Sequence, residues 1–147
     1  MAKKSITSGK TSVPRTIVRV VMGSFLVFAG VSHLTFARKE FTAQVPTWVP
    51  MPQDTVVLAS GVAEITLGAA LVALPSRKVT VGWLAAAFFV AIFPGNISQL
   101  VTHTDAFGLN TDRARAVRLL FQPLLVIGAL WSTGAWSAFR ARRRAAR

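Results

Sequence analysis

Four apolar runs limit what this chain can become. They cover residues 16–34, 55–74, 79–100 and 116–139 and carry almost no charge. Each is close to the roughly 20 residues an α-helix needs to cross a hydrocarbon core about 30 Å thick. Backbone N–H and C=O groups find no water in such a core, so a spanning segment closes its own hydrogen bonds as a helix or joins a sealed barrel. The two-residue alternation of a barrel strand is absent. The expected fold is therefore all-α, an integral-membrane up-down four-helix bundle. Its connections, roughly 20, 4 and 15 residues long, are short enough to join antiparallel neighbours, and the first of them is expected to cap the bundle.

Composition matters at two points. A formal net charge of +12 raises the question of nucleic acid, but the basic residues gather at the ends of the apolar runs and build no interleaved basic and aromatic surface. No nucleic-acid partner is expected. The chain has no cysteine, which excludes a disulfide framework, a thiolate metal site and dithiol redox chemistry by its own residues. The first run follows Lys3, Lys4, Lys10 and Arg15, as a secretory signal would. However, it exceeds the about 7–15 residues of such a signal, carries Arg19 and lacks a small-residue cleavage motif, so it is read as an uncleaved first helix.

Lys and Arg also set the orientation. One side of the bundle collects Lys3, Lys4, Lys10, Arg15, Arg19, Arg77, Lys78 and the arginines of 140–147; the other has Arg38, Lys39, Arg113, Arg115 and Arg118. The positive-inside rule then puts both termini in the cytoplasm, with Trp83, Trp131 and Trp136 near the cytoplasmic ends and Trp48 in the first outer loop. Residues 1–14 are expected to be a disordered basic tail, 15–139 the transmembrane domain, and 140–147 a basic cytoplasmic tail lying on anionic lipid. Gly23 and Gly30, and likewise Gly61 and Gly68, are seven residues apart, so each pair marks a face along which helices approach closely.

The polar residues inside the runs fall at one depth. His33 ends the first helix, Ser60 and Glu64 lie roughly one and a half to three turns into the second, Asn96 and Gln99 end the third, and Arg118 and Gln122 lie in the first turns of the fourth. Ser60 and Glu64 are i and i+4, and Arg115, Arg118 and Gln122 follow i, i+3, i+7, so each set shares a face. The other half of the helices is Val, Leu, Ala and Phe. Pro94 removes the donor for the Val90 carbonyl and Pro123 that for Leu119, and such backbone in a membrane usually lines a cavity. The expectation is a funnel open to the outer face.

Glu64 is the most telling residue. A carboxylate at this depth has to be neutral, paired or in water. Arg118 is taken as its one basic neighbour of comparable depth: a Glu64–Arg118 pair would be structural or would orient a ligand, and without it Glu64 could carry a proton. A bundle-locking pair with no ligand is the plain alternative. His33 is either a helix-end histidine or a hydrogen-bonding member of the pocket. With two histidines and no ligand spacing, no metal site is expected. No nucleophile–base pair or nucleotide-binding loop is present, so no catalytic residue is assigned.

These stretches resemble a known family. "AGVSHL", "VPTWVP", "SGVAEITLGAAL", "FPGNI" and "RLLFQ" together are similar to the DoxX-like membrane proteins, over about residues 18–128. The resemblance implies a four-helix protein of the bacterial inner membrane, related in kind to the membrane subunit of a thiosulfate:quinone oxidoreductase. The positions that match are His33, Phe41, Val45, Pro46, Trp48, Pro50, Ser60, Gly61, Glu64, Gly68, Arg77, Pro94, Asn96, Arg118 and Gln122. Family members often carry a proline where this chain has Arg38 to Glu40.

Three functions fit these observations. The first is a quinone- or small-molecule-binding subunit of a membrane redox complex, an oxidoreductase subunit working with a soluble redox partner; its ligand would sit among Glu64, Arg118, Asn96, His33, Gln122, Ser60 and Trp48. The second is a proton-coupled carrier of a small solute or lipid. The third is an assembly subunit with a filled polar core, in a hetero- or homo-oligomer. The first is preferred, with quinone as its non-covalent cofactor.

Overall fold

The computed structural model describes residues 11–147, so most of the expected basic tail, residues 1–10, lies outside the described residues. Within them the chain is entirely helical, without strands, and four helices are long and apolar enough to cross a membrane. Helix α1 (Val13–Leu34) starts with Pro14 in its first turn, where a missing N–H costs nothing. It begins three residues before the apolar run and takes in the end of the expected tail. A short α2 (Arg38–Thr42) and the proline-rich stretch to Pro52 lead to α3 (Gln53–Ala73). One 3-10 turn, Pro75–Arg77, reverses the chain into α4 (Lys78–Val101). Loop 102–111 then leads to α5 (Asp112–Ser132), whose N-cap Thr111 accepts from the Ala114 N–H at 3.2 Å. We call the end carrying 35–52 and 102–111 the loop end and the opposite one the turn end.

The last apolar run is not one helix, as its hydropathy suggests. It breaks after Ser132, where Gly134 takes φ +72°, and α6 (Ala135–Ala145) leaves in a new direction. The cause is packing: Thr133 is fully buried against Gly82, where a Cβ would collide with the threonine side chain. The basic stretch 140–147 is thus largely helical.

Two tight helix pairs build the bundle, α1 with α3 and α4 with α5. The glycines make the first. A Cβ on Gly68 would stand 2.5 Å from the Gly23 carbonyl, and one on Gly30 would stand 2.5 Å from that of Gly61, so the two backbones touch at both levels. Leu26, Leu71, Val81, Ala85, Phe89 and Ala129 fill the centre between the pairs. Near the turn end, Met22 of α1 reaches the face of Gly128 on α5. Arg19 is buried there too, its guanidinium bonded to the Leu71 carbonyl in the last turn of α3, the negative end of a helix dipole. The exterior is apolar: Ile17, Val21, Leu120, Leu124 and Ile127 are all more than half exposed.

Candidate functional site

Towards the loop end the pairs part, and a cavity of about 800 Å³ opens between them. Its α1 wall is Phe25, Leu26, Phe28, Ala29, Ser32 and His33; its α5 wall is Ala114, Val117, Arg118, Phe121, Gln122 and Leu125. Phe25 and Phe28 on one side and Val117 and Phe121 on the other are strongly exposed. The cavity therefore reaches the side of the bundle along the α1–α5 seam, which the Met22–Gly128 contact closes only near the turn end.

All seven sequence-predicted residues line this region or join side chains that do, but in different roles. Glu64 and His33, 5% and 6% exposed, meet across the α1–α3 contact, with Nδ1 2.7 Å from Oε2. The same nitrogen is 2.9 Å from the Ala29 carbonyl. A single Nδ1–H aimed at that carbonyl leaves the Glu64 Oε2 in close contact but without an aligned donor. The His33 ring stacks on Phe41 of α2, centroids 3.3 Å apart, and Phe41 meets Phe107 edge-on at 4.6 Å. Of the two alternatives for Glu64, the pair with Arg118 does not form: its basic neighbour is His33, which glycine packing holds against α3. A Cβ on Gly61 would lie 2.8 Å from the His33 Cβ.

Asn96 and Gln122 lock α4 to α5. The Asn96 amide donates to the Gln122 Oε1 at 3.0 Å, and Gln122 donates to the Phe89 carbonyl at 2.9 Å, beside the carbonyl that Pro94 leaves without its helical donor. Both helices run through their prolines without ending. Ser60 lines the wall but donates to the Val56 carbonyl of its own helix at 2.6 Å. Trp48 stands at the rim, 70% exposed.

Arg118 belongs to a network that the sequence did not reveal. Its Nη1 donates to Gln99 Oε1 and its Nη2 to Gln44 Oε1, both at 3.2 Å, and Gln44 donates to Gln99 at 2.8 Å. Its Cζ lies 5.0 Å from the centre of the Phe107 ring. Gln99, 1% exposed, also donates to the carbonyls of Thr104 and Ala106, pinning loop 102–111 to the bundle. Arg115, read only as a neighbour on the Arg118 face, is buried, holds the same loop through Asp105 and the Thr104 carbonyl, and pairs with Asp112 of its own helix. Phe107 takes φ +56°, and its N–H donates to Glu40 of α2 at 2.6 Å, so the two loops close over the cavity together. Gln44 carries no periodic signal, because it lies in an irregular loop whose place is set by these contacts.

Outside the four long helices, Arg38 is bonded to Asp54, and that hydrogen bond raises the guanidinium further above its ordinary pKa. His103 pairs with Asp112 on the surface at 2.8 Å. Among the described residues, no three His, Cys, Asp or Glu side chains converge as metal ligands would.

Residues 22–133 match the family model described as a domain of unknown function, DUF8561. The chain belongs to this family. No curated protein and no solved structure matches it. The matched span contains every residue lining the cavity and leaves α6 outside, so the cavity is built wholly within the family's own domain.

Proposed function

We propose that the chain is a multi-pass protein of the bacterial inner membrane that holds an amphipathic small molecule in the loop-end cavity. In this reading it is a DoxX-like subunit of a membrane redox complex, and the ligand is a quinone or another small molecule with an apolar tail. The carrying observation is the cavity itself. At about 800 Å³ it falls within the roughly 300–1,000 Å³ of small-molecule sites, and its apolar walls with a few convergent polar groups have the same character. An open space of this size weighs against a packed, ligand-free scaffold. The contact of Glu64 with both His33 and α3's close partner helix weighs against a carrier whose carboxyl must swing between two positions.

The orientation follows from charge, with the loop end outside and both termini in the cytoplasm. Helix α6 would then lie on the inner surface. Its Trp136 and Phe139 group with Trp83, and Arg140, Arg142, Arg143 and Arg144 are exposed to meet anionic lipid. Organic extraction of protein purified in a mild detergent, followed by mass spectrometry, tests the ligand. A stoichiometric quinone that is lost when Ala29→Trp fills the cavity supports the reading. Quinone retained equally by that variant would place the molecule elsewhere and end it.

A further inference from the structure

The chain has five acidic residues, all within the described structure, and each is engaged away from Arg118. Glu40 accepts from the Phe107 N–H, Asp54 pairs with Arg38, Glu64 with His33, and Asp105 and Asp112 with Arg115. Of the two buried arginines, Arg115 holds Asp105 and Asp112, and Arg19 rests on the carbonyl end of α3. Arg118 has neither kind of neutralisation. Among the described residues its acceptors are two neutral amide oxygens at 3.2 Å, and none is bonded to its Nε. A guanidinium in an apolar cavity wall without a counter-charge is costly, and a charge-assisted, two-point hydrogen bond from a carboxylate or phosphate is the strongest remedy.

We propose that the ligand of this cavity is an anionic amphiphile, a carboxylate or phosphate head on a single apolar tail, with the head on Arg118. The inference rests on the reading of the cavity as a ligand site and commits, within that reading, to a charged head. Depth agrees with it. At 1.5 Å per residue, Arg118 is six positions into α5, roughly 9 Å from the loop end, and Glu64 is eleven into α3, roughly 16 Å. The acid is therefore deeper and occupied by His33, while the cation stands near the mouth. From Arg118 the tail has an apolar path past Phe121, Leu125 and Phe25 to the open α1–α5 seam, where a membrane-dissolved chain can enter sideways.

The test measures retention of radiolabelled palmitate, hexadecyl phosphate, hexadecanol and an isoprenoid quinone by immobilised protein in a non-ionic detergent, corrected for the micelles held by an empty matrix. Wild-type protein should bind palmitate, hexadecyl phosphate or both at least about tenfold more tightly than hexadecanol. The two anionic arms tell a carboxylate ligand from a phosphate one. Arg118→Gln should erase that preference, and Arg118→Lys should restore part of it. The wild-type comparison needs no variant, so it stands even if Arg118→Gln does not fold. Equal binding of charged and neutral probes, or binding of quinone alone, overturns the anionic head and leaves the cavity a ligand site. Binding of none of the four overturns both.

Discussion

A methyl group at Gly68 should do more damage than its size suggests. The added Cβ would meet the Gly23 carbonyl at 2.5 Å, the Val27 N at 2.8 Å and the Val27 Cγ2 at 2.9 Å, whereas ordinary contact begins near 3.4 Å. Two of these three atoms are backbone, so no rotamer change relieves the overlap, and α1 and α3 have to separate by up to about 0.9 Å, the difference between 3.4 and 2.5 Å. A gap of that width forfeits roughly a quarter to a half of each dispersion contact along the seam. Overpacking of this kind costs about 3 kcal/mol, the upper end of its usual range, and the helix-propensity gain of Gly→Ala returns about 1 kcal/mol. The net loss of about 2 kcal/mol should lower the midpoint of thermal unfolding in detergent by roughly 4–8 °C. Gly95→Ala is the matched comparison. It makes the same change inside α4, but its Cβ meets nothing nearer than the Gln44 carbonyl at 3.4 Å, so its midpoint should hold or rise. If Gly68→Ala and Gly95→Ala melt together, the close approach of α1 and α3 is not what holds this bundle.

Two further expectations concern the polar groups. Gln99→Leu removes the acceptor of Arg118 and Gln44 and the donor to the Thr104 and Ala106 carbonyls, which should cost about 3 kcal/mol and speed amide hydrogen exchange in 102–111 but not in α1 or α3; uniform acceleration would mean the loop is held by other contacts. His33→Ala and Glu64→Ala should each break up a buried polar contact at about 1–3 kcal/mol, and a double-mutant cycle in thermal unfolding should show a coupling of about 1 kcal/mol or more, whereas the cycle of Glu64 with Arg118 should be additive; the reverse pattern would make the arginine the partner.

The sequence by itself determined the number of long apolar helices and the position of the polar residues along each of them. Length and hydropathy decide those locally, since a helix that closes its own backbone hydrogen bonds needs no neighbour to be stable in lipid. It also located the glycine faces, because a seven-residue spacing returns to nearly the same side of a helix. Which polar groups meet was a tertiary matter. Glycine contact draws α1 onto α3 and puts His33 beside Glu64, while α5, paired with α4, carries Arg118 to Gln99 and Gln44 instead. The break at Gly134 is of the same kind, since hydropathy runs on through a corner that only the seat of Thr133 against Gly82 imposes. Depth is a property of one helix and can be read along it; rotation and splay belong to pairs of helices and arise only when their surfaces pack.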